Sequence, residues 1–310
     1  MDEHDRHLEI LRGTPETLKA SLAGLGKALL QWTPAPGKWS IHEIVCHMRD
    51  MEEHAYLARY RRILAEERPL LPDVDGEVYA LERDYPSLPL GRAVADWRRL
   101  RRECLKILGR IRGEQWERVG THETAGELTL RALLARHAVG NDQAHLGQIA
   151  AIKTRHDILR RLAAAPSALI ESGKGLGRET LHLRPGPSEW AIVEIACHLC
   201  DFERVSQARF QKMAFLERPA LWTLDNDRVA AKGSYLAAEW IAKVREFRRR
   251  REDTLLLLRA LPHASWQRTG VHPKRGEVTI EALAASLSEH DSQHIEKIRS
   301  IRSALSGASA

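Results

Sequence analysis

No window of this 310-residue chain approaches 18 uncharged apolar residues, so a membrane-spanning helix is excluded. The first residues, Met1-Asp2-Glu3-His4-Asp5-Arg6, lack the basic-then-apolar order of a secretory leader, and a soluble, cytoplasmic protein is expected. Cysteine is scarce. Cys46, Cys104, Cys197 and Cys200 are too few for a disulfide framework at this length and are expected to be reduced. With only 20 Gly and 13 Pro against 43% hydrophobic and 29% charged residues, collagen-like and disordered chains are excluded and a globular, helical protein is indicated. Alternating strand patterns of useful length are missing as well.

The net charge of +6 is unevenly placed, for residues 1–154 carry 23 Lys+Arg against 23 Asp+Glu and the remainder carries 25 against 19. Part of the excess is the run Arg248-Arg249-Arg250-Arg251. Four consecutive helical residues point all round the axis, so the run reads as solvated helix surface rather than one nucleic-acid-binding stripe.

The chain repeats itself. Trp39-Ser-Ile-His-Glu-Ile-Val-Cys-His47-Met-Arg-Asp50-Met-Glu52 returns 151 residues later as Trp190-Ala-Ile-Val-Glu-Ile-Ala-Cys-His198-Leu-Cys-Asp201-Phe-Glu203. The same offset pairs Pro15 with Pro166, Gly24 with Gly175 and Pro36 with Pro187. It slips to 150 where Arg59-Tyr60 meets Arg209-Phe210, Trp116 meets Trp266 and His122 meets His272, and to 149 where Asp142 meets Asp291 and His145 meets His294. Two homologous domains, 1–154 and 155–310, are expected. In each, 3.6-residue periodicity and caps such as Ser40 with Glu43 mark four helices: 5–30, 40–67, 91–112 and 129–154, then 157–172, 189–217, 236–260 and 279–305. An all-α chain of two tandem four-helix bundles follows.

His290 and His294 stand at i and i+4, on one helix face and about 6 Å apart along the axis, close enough to share a metal. His198, mid-helix after Trp190, is placed inside the bundle. Three imidazoles from two helices leave a fourth coordination position open, as catalytic metal sites do. Glu194, Asp201 and Asp291 are within helical reach as acceptors for the ligands' second ring N–H; solvated charge and capping are their alternative roles. Cys197 and His198 point 100° apart, so the cysteines are assigned to packing. Trp39 and Trp190 read as core anchors, while His122 and His272 read equally as loop-fixing hydrogen bonders or substrate contacts.

The Trp-Ser/Ala-Ile-x-Glu-Ile-x-x-His-x-x-Asp-x-Glu helix, the loop ending Gly-Glu-x-Thr and the closing His-Asp-x-x-His-hydrophobe-x-x-Ile resemble the DinB/YfiT-like metal-binding four-helix bundles, twice over nearly the whole chain. The resemblance implies a divalent metal, zinc or nickel, on His198, His290 and His294. His47 and His145 are weaker candidates in the first copy, where Asn141 stands for His290 and an amide oxygen is a poor ligand for either metal. His137, about 12 Å along the axis from His145, does not complete that set. The family implies a metal-dependent transferase, of the thiol-dependent S-transferase type, or a hydrolase, acting on a small-molecule substrate with a low-molecular-weight thiol as a candidate partner. Two competitors stand beside it. One is a non-catalytic binding or scaffold module, its two bundles stabilised by a metal or by none; in either reading the bundles are expected to pair within the chain. The other, nucleic-acid binding, rests on charge alone.

Overall fold

The computed structural model describes residues 3–224, 229 and 234–307. The chain divides into two compact units, Met1–Thr154 and Arg155–Ala310. Each is a four-helix bundle with a long connection after its second helix.

In the first unit the opening helix Glu3–Leu22 runs through Pro15 and ends before Gly24, whose φ of 71° supplies the left-handed turn that helix termini favour. The expected helix to residue 30 is therefore broken, and it resumes only as the single turn Lys27–Leu30. The second helix starts at Ile41 behind a capping box, in which Ser40 N–H donates to Glu43 Oε2 (2.8 Å) and Glu43 N–H donates to Ser40 Oγ (3.3 Å). It continues through Met51–Leu57 to Ala65. The third helix is Leu90–Leu108, and the fourth begins at Leu130. The second unit repeats the plan with Ile192–Phe215, Trp240–Ala260 and Ile280–Gly307. Its first helix is the later part of Ala144–Gly173, a continuous helix where two separate ones were expected.

The slips in the repeat have a structural cause. Met51–Leu57 and Arg136–Gln143 are π-helical, whereas the matching stretches of the second unit are plain α-helix. The offset falls from 151 at Glu52 to 150 at Arg59, and from 150 at Thr129 to 149 at Asp142. Each fall lies within or against a π segment and means one extra residue in the first unit. A wider turn takes up that residue and leaves later side chains on their original faces.

The segment before each fourth helix is a β-hairpin rather than a loop. Val119–His122 pairs antiparallel with Gly126–Thr129, and Thr269–His272 with Gly276–Thr279. Arg118 at the first hairpin donates to the carbonyls of Ile63 and Glu66, both at 2.8 Å, and so satisfies the open end of helix two. Arg268 does the same for Met213 and Leu216 at 2.7 and 2.8 Å.

At the centre of each core lies an arginine, which corrects the reading of the basic run as solvated surface. Arg251 is fully buried. Its Nε donates to Glu203 Oε1 of helix two (2.9 Å), and its Nη1 donates to Asp291 Oδ2 of helix four (2.7 Å) and to the Leu162 carbonyl of helix one (3.0 Å). Arg101 repeats these bonds with Glu52, Asp142 and the Leu11 carbonyl. Burial pushes the Glu52 carboxyl up, but Arg101 and His137 outweigh it and hold its pKa down to about 2. Removing one partner of a buried ion pair strands the others without solvent. Arg251→Met is thus expected to destabilise the second unit by about 3–5 kcal/mol in urea unfolding, while the exposed Arg248→Ala shifts it by less than about 0.5 kcal/mol. Equal effects of the two would refute the central role of Arg251.

Candidate metal centre

Helix Ile192–Phe215 carries His198, and helix Ile280–Gly307 carries His290 and His294. The first starts where Ala191 N–H donates to Glu194 Oε2 (2.9 Å), and the second where Ala282 N–H donates to Thr279 Oγ1 (3.0 Å). The structure brings the three imidazoles together. One nitrogen of each lies within 4.8 Å of the others, and His198 Nε2 is 2.9 Å from His290 Nε2. Ring centroids are 4.9 Å apart for His198 and His290, 4.6 Å for His198 and His294, and 4.5 Å for His290 and His294.

His198 is buried, while His290 and His294 are half-buried, so the cluster has a closed floor and an approachable rim. Burial, reinforced by the neighbouring imidazoles, lowers the pKa of His198 to about 3; burial and His290 lower that of His294 to about 4. Both rings are therefore neutral at physiological pH, the form that ligates a metal. The remaining ring nitrogens of His198 and His290, both Nδ1, are buried without a hydrogen-bond partner. A donor set of three converging imidazoles fits zinc or nickel.

The three carboxylates expected behind the ligands are engaged elsewhere. Glu194 binds the Arg184 guanidinium and the Ala191 N–H. Asp201 accepts from the Tyr235 hydroxyl, and Asp291 accepts from Arg251. Asp291 Oδ1 stays 3.9 Å from His290 Nδ1, too far for a hydrogen bond. Each sits at the correct helical spacing but has a stronger donor on another element. Aromatic walls fix the rings instead: Phe202, four residues after His198, stacks on His290 at 3.8 Å and 15°, and Trp190 lies 5.0 Å from His198. Phe202 was legible as an i+4 neighbour but not as a stacking partner across helices. The Cys197 thiol is pushed up to about 12 by burial, which bars it from acting as a thiolate at neutral pH.

In the first unit His47 and His145 also meet, with centroids 4.8 Å apart, and burial together with His145 lowers the His47 pKa to about 3. The third place holds Asn141, whose Nδ2 donates to Asp142 Oδ1 at 3.2 Å. Gly76 packs so close to His47 that a Cβ there would lie 2.4 Å from its Cε1, leaving the ring no room to move that way. His137 joins the core instead, 3.0 Å from both Glu52 and Arg101 and stacked on Tyr56. Glu52, Cys104 and His137 form a second group with ligand spacing, but the Arg101 guanidinium already supplies its cation. His122 and His272 brace the hairpin turns, accepting from the N–H groups of Thr124 (3.3 Å) and Lys274 (3.2 Å) respectively.

A model of the DinB superfamily matches residues 10–149 and again 161–298. A protein of Oceanobacillus iheyensis named a putative metal-dependent hydrolase is 23% identical over 143 residues, which are 46% of this chain and 81% of that protein. A second from the same organism and with the same description is 26% identical over 120 residues, 39% of this chain and 68% of its own. A putative metal-dependent hydrolase of Geobacillus thermodenitrificans is 30% identical over 80 residues, 26% of this chain and 44% of its own. Among solved structures, YfiT from Bacillus subtilis, described as a probable metal-dependent hydrolase with an unusual four-helix bundle topology, is 20% identical. That match covers 48% of this chain and 87% of YfiT at a TM-score of 0.44.

The lowered histidine pKa values set a pH dependence for the metal-free protein. His198 and His294 stay neutral in the fold but take up protons near pH 6.5 once unfolded, so below that pH the unfolded chain binds more protons and stability falls with pH. The urea midpoint is expected to drop between about pH 7 and pH 5, and to drop less in the His198→Gln/His294→Gln variant. Identical drops in the two proteins would exclude these rings as the cause.

Proposed function

This chain belongs to the DinB superfamily, and from that premise we propose that it is a metal-dependent enzyme acting through His198, His290 and His294 of its second unit. The observation that carries the reading is the convergence of three imidazoles, two of them held neutral, at a half-open rim. A divalent ion held by three imidazoles with a position to spare supplies Lewis-acid activation of water or of a thiol at neutral pH. Hydrolysis and thiol-dependent S-transfer are the two reactions this chemistry serves, and the names of the relatives favour hydrolysis.

The chain's own residues hold and orient the ligands. Phe202 and Trp190 fix the ring planes of His290 and His198. Arg251 grips Asp291, and so pins the turn of helix that presents His290. Glu194 anchors the start of the helix that carries His198. We assign the first unit a structural role, since Asn141 leaves it two imidazoles and that amide is already bonded to Asp142.

One zinc or nickel per chain is the expected stoichiometry, read by elemental analysis of the purified protein and followed by screens of ester and amide hydrolysis and of thiol transfer. His290→Asn copies the first unit's defect into the second and should abolish both metal retention and turnover, whereas Asn141→His should raise the stoichiometry towards two. A native value of two, or full turnover in His290→Asn, would overturn the assignment.

A further inference from the structure

One turn along helix Ile280–Gly307 from His290, a cavity of about 240 Å³ opens between that helix, the hairpin Thr269–His272/Gly276–Thr279 and the helix Ile192–Phe215. Phe202 forms one wall, and its ring also stacks on His290, so the cavity and the three imidazoles share a partition one side chain thick. Arg209, His272, Lys274 and Arg275 line it on the hairpin side, with apolar residues such as Phe210, Leu283 and Leu287 completing the walls. Arg209 is nine-tenths buried; its Nε donates to the Trp222 carbonyl at 3.0 Å, and among the described residues no carboxylate pairs with it. Its pKa is lowered by burial and by the charge of Arg275, as expected for a buried cation facing another.

The first unit is an internal control. Arg59 occupies the place of Arg209 and donates to the Pro72 carbonyl, as Arg209 does to Trp222. Beside it stand two acids. Asp73 Oδ1 lies 3.9 Å from the Arg59 guanidinium and 3.7 Å from His122, and Glu123 accepts from the Asp73 N–H at 2.8 Å. In the second unit Asp73 is replaced by Thr223 and Glu123 by Pro273, while Thr124 and Ala125 become Lys274 and Arg275. A neutralised corner in the unit with the incomplete triad has thus become a cationic cavity in the unit with the complete one. A buried cation with no carboxylate partner, as Arg209 is among the described residues, is costly, and an incoming anion removes that cost.

We propose that this cavity seats an oxyanionic group, a carboxylate or phosphate, of the substrate, with Arg209, Lys274 and Arg275 as its binding residues. The assignment rests on the proposed function, for it names the substrate class presented to His198, His290 and His294. The volume suits one such group and its first carbons rather than a whole drug-sized ligand.

The test is calorimetric titration of the full chain, stripped of metal with EDTA, with inorganic phosphate, succinate and neutral succinamide. Phosphate or succinate should bind and succinamide should not. Lys274→Ala with Arg275→Ala, both exposed positions, should weaken anion binding at least about tenfold. Thr223→Asp, which restores the first unit's charge, should abolish it without lowering the thermal unfolding midpoint. If only one of the two anions binds, that identifies the group. No anion binding, equal binding of succinamide, or unaltered affinity in both variants would overturn the inference. Because the titration is run without metal, anion binding by a chain that takes up no zinc or nickel would defeat the proposed function alone, and metal uptake without anion binding would defeat this inference alone.

Discussion

A guanidinium can donate five hydrogen bonds from a rigid plane, and in each unit of this chain one buried guanidinium is the point on which all four helices converge. Arg251 itself lies on the third helix and bonds Glu203 of the second, Asp291 of the fourth and a carbonyl of the first; Arg101 does the same in the other unit. Hydrophobic packing brings helices together without fixing how far each slides along its axis. Charged bonds of fixed length and direction do fix it, so residues on different helices meet at set heights. The three imidazoles depend on this, because His290 and His294 come from one helix and His198 from another.

On this shared frame the units differ at the histidine cluster and at the hairpin corner. The first has put its polar groups to use among themselves: His137 joins the Arg101 network, Asn141 bonds its neighbour Asp142, and Asp73 sits beside Arg59. The second holds a third imidazole in the place of Asn141, and Arg209 has no carboxylate partner among the described residues; buried ring nitrogens without a partner occur in both units, at His47 in the first and at His198 and His290 in the second. Unmet polar capacity inside a protein is a cost in the free molecule, and a ligand that meets it recovers that cost on binding.

Much of this was legible in the sequence, and the failures have identifiable causes. The duplication exposed the two bundles, and i, i+4 spacing placed His290 and His294 on one face. The hairpins escaped because a ladder of four residue pairs is too short for alternation to stand out. Arg251 escaped because it lies in a run of four arginines, yet pairing Arg101 with Arg251, Glu52 with Glu203 and Asp142 with Asp291 would have marked a matched set of charges in both cores. Glu194, Asp201 and Asp291 were offered to the imidazoles on helical reach, with capping or solvated charge as the alternative, and Glu194 does cap its helix at Ala191. Reach says which groups can meet, but competition among donors decides which do, and Arg184, Tyr235 and Arg251 are partners on other segments, 10, 34 and 40 residues away.

The two π segments, Met51–Leu57 and Arg136–Gln143, bear on how such a duplicated gene can change length. An extra codon inside a helix would ordinarily rotate every later side chain by about 100° and turn a core inside out. A bulge that absorbs it confines the change to one wide turn, after which the original helix faces resume. Two copies can therefore differ by single residues in mid-helix and keep one packing pattern, and the first unit's two π segments mark where these copies differ.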